Sequence, residues 1–146
     1  MRENFSAAEW EHLLRVPAVV FWAVALADGK ADSSELGYFL SYVKRTDHAD
    51  PLLAILFDQI SGDVQDALEL SEREKGYQTF LGETKAILGR TLSPDQRRSF
   101  LAGLLSMGHR VADASGGFFG LGNRISEAEG KRLDEVSTLL GLPELL

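Results

Sequence analysis

The chain contains no cysteine in its 146 residues. Disulfides, zinc–thiolate sites, iron–sulfur clusters and cysteine nucleophiles are therefore excluded. It also lacks a long apolar run, because the most apolar stretch, Ala18–Ala27, is half of the roughly 20 residues that span a bilayer. The N-terminal residues include Glu3 and Glu9 and lack the basic and apolar regions of a signal peptide. These absences predict a cytoplasmic protein without a membrane span.

Basic residues are also scarce. The chain has 15 Lys and Arg against 22 Asp and Glu, which gives a formal net charge of −7 and a pI of about 4.9. A nucleic-acid-binding surface is normally basic, so we expect no nucleic-acid partner. An acidic surface suits metal cations, basic protein partners or solubility.

What is present is the composition of an ordinary globular domain. Hydrophobic residues make up 45% of the chain and charged residues 25%. The length is that of one domain and is sufficient for a core without covalent cross-links. We therefore expect a single domain over residues 1–146.

Helix-start signals recur along the whole sequence. A capping box pairs a Ser, Thr or Asp with a Glu or Gln three residues later, and each satisfies a free backbone N–H group at a helix start. This spacing occurs at Ser6/Glu9, Asp32/Glu35, Ser71/Glu74, Ser93/Gln96 and Ser126/Glu129. Apolar residues at three- and four-residue spacing follow these signals, and no segment shows the alternation of a strand.

The fold class is therefore all-α, a compact bundle of about seven helices. The predicted spans are 6–15, 18–27, 33–45, 50–60, 64–89 with a possible break near Ser71, 94–113 and 127–140. A weak internal repeat is also visible. An apolar helix, Asp28 and the capping box at Asp32 form the first copy; an apolar helix, Asp113 and the capping box at Ser126 form the second. This pattern predicts two pseudo-repeated helical hairpins.

Residues 23–35, Ala-Val-Ala-Leu-Ala-Asp-Gly-Lys-Ala-Asp-Ser-Ser-Glu, resemble the TerB-like family, which is associated with bacterial tellurite resistance and stress response. The segment 125–129, Ile-Ser-Glu-Ala-Glu, and the helix after it are similar to the closing helix of that family. The second half departs from the pattern, since Ala114 follows Asp113 where the repeat calls for glycine. The resemblance implies a non-enzymatic helical module with a protein partner, in which acids at two turns bind a divalent metal.

The candidate metal ligands are Asp28, Asp32, Glu35, Asp113 and Glu129. Carboxylate oxygens suit calcium, magnesium or manganese, and a pseudo-twofold arrangement would bring both turns together. The alternative is purely structural, because Asp32, Glu35 and Glu129 belong to capping boxes and acids are favoured near helix starts. The spacing is not that of an EF-hand, since the twelfth residue from Asp28 is Phe39.

Two histidines have neighbouring acids. His109 and Asp113 lie four residues apart on one predicted helix, a spacing that suits an oriented imidazole or an ordinary side-chain contact. His48 lies between Asp47 and Asp50, although Asp50 before Pro51 is typical of a helix cap. No nucleophile signature accompanies either histidine, so a metal-dependent hydrolase near His109 is a minor alternative to a non-enzymatic function.

The segment 116–122, Gly-Gly-Phe-Phe-Gly-Leu-Gly, matches neither a P-loop nor a dinucleotide fingerprint. Phe118 and Phe119 can close the two hairpins together as core residues. If exposed, they form an apolar surface for a protein partner or a second copy. A protein-interaction domain that uses this loop is therefore the main alternative function. The sequence identifies neither the partner nor the oligomeric state.

Overall fold

The computed structural model describes residues 1–29, 31–72, 76–115 and 126–146. In these ranges all regular structure is helical, as predicted. The α-helices are α1 (Ala7–Ala25), α2 (Ser33–Val43), α3 (Pro51–Ile60), α4 (Val64–Glu72), α5 (Tyr77–Thr91), α6 (Pro94–Ser115) and α7 (Glu127–Leu140). Short 3-10 turns cover Arg2–Asn4, Ser61–Asp63 and Pro143–Leu145. No helix in the described ranges is long and apolar enough to cross a membrane.

Capping explains where most of these helices begin. Reciprocal hydrogen bonds form at Ser6/Glu9, Asp32/Glu35 and Ser126/Glu129. They also form between Ser93 and Gln96, directly before Pro94. Asp50 caps α3 by accepting from the Leu53 amide at 2.9 Å. These starts are local features, so the sequence predicts them well.

The predicted break at Pro17 is wrong. The proposed helices 6–15 and 18–27 are one continuous helix, α1, with Pro17 in its interior. A proline removes one backbone hydrogen bond and costs about 3 kcal/mol in a helix. Burial outweighs this cost, since Leu13, Val16, Val20 and Phe21 are completely buried and each contributes about 1.5–3 kcal/mol.

The predicted span 64–89 is interrupted close to Ser71, where the sequence analysis left a break open. It is divided into α4 and α5, and Ser71 lies within the last turn of α4 instead of starting a helix. Glu74 lies outside the described residues. Gly76, which precedes α5, has φ +85°, a left-handed conformation that interrupts a right-handed helix.

Helix α1 is the centre of the bundle. It packs against α3, α4, α5, α6 and α7, whereas α2 packs mainly on α6 and α3, and α7 packs on α5, α6 and α1. Thus α2 and α7 both lie against α6. Arg132 of α7 donates to the Ala23 carbonyl of α1 at 2.7 Å, which ties the start of α7 to the end of α1.

Candidate functional site

The capping boxes of α2 and α7 contribute two buried glutamates that meet each other. Glu35 and Glu129 each occupy the third helical position of their box, and neither side chain has accessible surface. Their carboxyl groups are hydrogen-bonded to one another. Two acids from distant parts of the sequence therefore form one buried pair, which we call the glutamate pair.

Each member of the glutamate pair has one oxygen committed to its own capping box. Oε1 of Glu35 accepts from the Asp32 amide at 3.0 Å. Oε1 of Glu129 accepts from the Ser126 hydroxyl at 2.9 Å and from the Ser126 backbone amide at 3.3 Å. Oε2 of Glu35 is buried, and no amide, hydroxyl or charged nitrogen of the described residues donates to it.

The environment favours the neutral form of Glu35. Burial, followed by the hydrogen bond with Glu129, raises the pKa of Glu35 from 4.5 to about 8. Two carboxylates both accept hydrogen bonds, so their contact requires a proton or a cation between them. At neutral pH and without a cation, the glutamate pair shares one proton. The two helix starts that point at the pair favour the negative charge that remains.

The other predicted metal ligands are placed differently. Asp32 is half-buried, and its Oδ1 accepts from the Glu35 amide at 2.8 Å. Asp28 and Asp113 are exposed at the ends of α1 and α6. Nowhere in the described part of the chain do three His, Asp or Glu side chains form a group that could hold a metal ion. The structure thus brings two of the five predicted acids together, with a third beside them.

The remaining predicted features are exposed or fall outside the described residues. His109 is exposed on α6, as is Asp113 one turn later, whereas both glutamates are buried. Phe118 and Phe119 fall outside the described residues, so their proposed role in partner binding stays a prediction.

His12 has no evident partner in the sequence, but it has several in the structure. His12 is 7% exposed, stacks on Phe80 with ring centroids 3.9 Å apart, and its Nε2 lies 2.7 Å from Thr84 Oγ1. Its Nδ1 lies 3.8 Å from the Glu83 carboxylate. The order Thr, His, Glu imitates a catalytic triad.

This array cannot activate a nucleophile as it stands. The Thr84 hydroxyl donates to the Phe80 carbonyl at 2.9 Å, so it accepts from His12 Nε2 instead of giving up a proton to it. Thr84 is also completely buried. The array joins α1 to α5. It could not be recognised in the sequence, because His12 is distant along the chain from Glu83 and Thr84.

Comparisons with protein-family models, with curated proteins and with solved structures found no match to this chain. The chemistry of its own residues is therefore the basis for the function.

Proposed function

We propose that the chain is a non-enzymatic, TerB-like helical module that binds a divalent cation at the glutamate pair. One observation carries the proposal: two completely buried carboxyl groups form a pair, and Oε2 of Glu35 accepts from no amide, hydroxyl or charged nitrogen of the described residues. An acidic cluster on a surface would need no explanation. A buried pair does, because unpaired buried charge is strongly unfavourable.

The chemistry of the two donors favours a small, hard cation. Proteins bind magnesium and manganese through as few as one or two carboxylates, whereas calcium takes six to eight oxygen ligands. Glu35 and Glu129 would be the ligands, and Asp32 would orient Glu35 through the capping box. A cation there would neutralise both carboxylates and join the starts of α2 and α7.

The sequence resemblance supports the same location. In the TerB-like pattern an apolar helix leads into Ala-Asp-Gly, and an acid opens the next helix. Here α1 leads into Ala27-Asp28-Gly29, where Gly29 has φ +98°, and Asp32 and Glu35 open α2. Complete burial of the pair also favours a structural or sensory role over catalysis, because a substrate could not reach either carboxyl group.

Thermal unfolding of chelator-treated protein at pH 7, with and without Mg²⁺, Mn²⁺ or Ca²⁺, tests the proposal. A ligand that binds only the folded state stabilises it by about 2.7 kcal/mol at one hundred times its Kd. We expect Mg²⁺ or Mn²⁺ to raise the Tm by several degrees, and Glu35→Gln and Glu129→Gln to lose this effect.

Glu9→Gln is the matched control, because Glu9 occupies the same capping-box position in α1 but pairs with Arg90 at 2.8 Å near the surface. It should respond to the cation as the wild type does. An equal rise in Tm in Glu35→Gln would place any cation elsewhere. No rise with any of the three cations would leave the glutamate pair as a proton-sharing structural contact.

A further inference from the structure

A polar cleft lies between the α2–α3 connection and α6. It shares no residue with the glutamate pair. Its volume is about 420 Å³. The polar lining comes from Tyr42, Arg45, Asp47, His48, Asp50, Ser99 and Ser106.

Asp50 places a buried negative charge in this cleft. The residue is only 6% exposed. Its Oδ2 accepts from the Leu53 amide at 2.9 Å, and its Oδ1 accepts from the Ser99 hydroxyl at 2.7 Å. Both donors are neutral, and no Lys, Arg or His of the described ranges forms an ion pair with it. The start of α3 offsets part of the charge, and a cation in the cleft would offset the rest.

His48 adds an acceptor that has no donor. Its ring packs between Tyr42 and Phe57, with centroids 5.1 Å and 4.5 Å away. Nε2 is buried without a hydrogen-bond partner. Burial lowers the pKa of His48, so the ring is neutral at pH 7. A neutral imidazole offers one ring nitrogen as an acceptor, and Nε2 has no hydrogen bond that would prevent it from taking this role.

The other charges at the cleft cancel each other. Arg45 donates to both carboxylate oxygens of Asp47, at 2.9 and 2.8 Å. Its guanidinium also lies 5.2 Å from the centre of the Tyr42 ring, in a cation–π contact. Because Arg45 and Asp47 neutralise each other, the net charge of the lining is the single negative charge of Asp50.

We propose that this cleft binds a small organic amine in its ammonium form, whose N–H groups donate to Asp50 and to Nε2 of His48. An ammonium carries several donors and needs only acceptors around it. An anion would be repelled by Asp50, and the net charge of −7 attracts cations to the whole molecule.

The test is an NMR titration of the full chain at pH 7 with n-butylamine, which is then butylammonium. Butanol and butyrate are the neutral and anionic probes of similar size, and tetramethylammonium is a cation without N–H donors. The signals to follow are the His48 imidazole and the backbone amides of residues 99–106. We expect saturable shifts with butylammonium and none with the other three probes.

Two variants locate the interaction. Asp50→Asn keeps a good helix cap but removes the charge, and His48→Phe keeps a ring between Tyr42 and Phe57 but removes the acceptor. Each should weaken butylammonium binding by roughly tenfold or more, as expected for a charge-assisted hydrogen bond. Asp58→Asn, which removes an exposed charge from the same helix, should leave it unchanged.

Several results would overturn the proposal. They are the absence of a saturable response to butylammonium, an equal response to butanol, or wild-type affinity in both Asp50→Asn and His48→Phe. If Asp50→Asn does not fold, the comparison of probes and the His48→Phe variant still decide the outcome.

Discussion

Replacing Glu35 by glutamine should abolish most of the pH dependence of stability between pH 5 and 8. Glutamine keeps the size of the side chain and can still complete the capping box with Asp32. It cannot ionise, so the buried contact with Glu129 no longer requires a shared proton.

The sign and size of the effect follow from the pKa of Glu35, which rises from 4.5 to about 8 on folding because of burial and the hydrogen bond with Glu129. Between these values the folded state holds a proton that the unfolded state has lost. The free energy of unfolding therefore falls as pH rises, and it levels off above about 8. At about 1.4 kcal/mol per pH unit, the wild type loses on the order of 3–4 kcal/mol between pH 5 and 8.

Urea denaturation at a series of pH values, with chelator present, measures this loss. Tryptophan fluorescence is a suitable probe, since Trp10 is 1% exposed in the folded chain. The difference between wild type and Glu35→Gln isolates the glutamate pair from the other titrating groups. A difference curve that is flat from pH 5 to 8 would refute the shared proton.

Glu9→Gln serves as the comparison. The hydrogen bond from the Ser6 amide, and then Arg90, lower the pKa of Glu9. The stability that Glu9 contributes is lost only as pH falls through its lowered pKa, so Glu9→Gln should leave the slope between pH 5 and 8 unchanged.

Three further substitutions test the packing, each measured by urea denaturation at pH 7. Thr84→Val should destabilise the fold by about 1–3 kcal/mol, because it leaves the buried Nε2 of His12 without its partner; a change near zero would show that this hydrogen bond is unimportant. Gly141→Ala should cost about 1 kcal/mol, because Gly141 has φ +82° and an added Cβ would lie 2.8 Å from Lys85. Gly82→Ala, in open space within α5, should instead stabilise by roughly 0.5–1 kcal/mol; the same sign for both glycines would contradict this explanation.

The sequence predicts the local part of this fold well. A capping box needs only two side chains and the backbone between them, so Ser6/Glu9, Asp32/Glu35, Ser93/Gln96 and Ser126/Glu129 could be identified from spacing alone. The errors arose where distant contacts decide the outcome. Pro17 has a helix-breaking propensity, but the burial that overrides it comes from the surrounding helices.

The candidate site was predictable only in part. The repeat pattern suggested that acids from two turns converge, and Glu35 and Glu129 do meet. It could not show that this contact excludes solvent, or that Asp28 and Asp113 remain exposed, because burial depends on how α2 and α7 pack on α6. Likewise, Asp50 was identifiable as a helix cap, whereas its hydrogen bond to Ser99 depends on the packing of α3 against α6.

The central position of α1 has a consequence for hydrogen exchange. Helix α1 contacts most other helices, so its amides should exchange only when the whole molecule unfolds. Helix α2 packs mainly on α6 and α3, and its amides should exchange through a smaller, local opening. Because α2 carries Glu35, that opening would admit water and ions to the glutamate pair while the rest of the core stays folded.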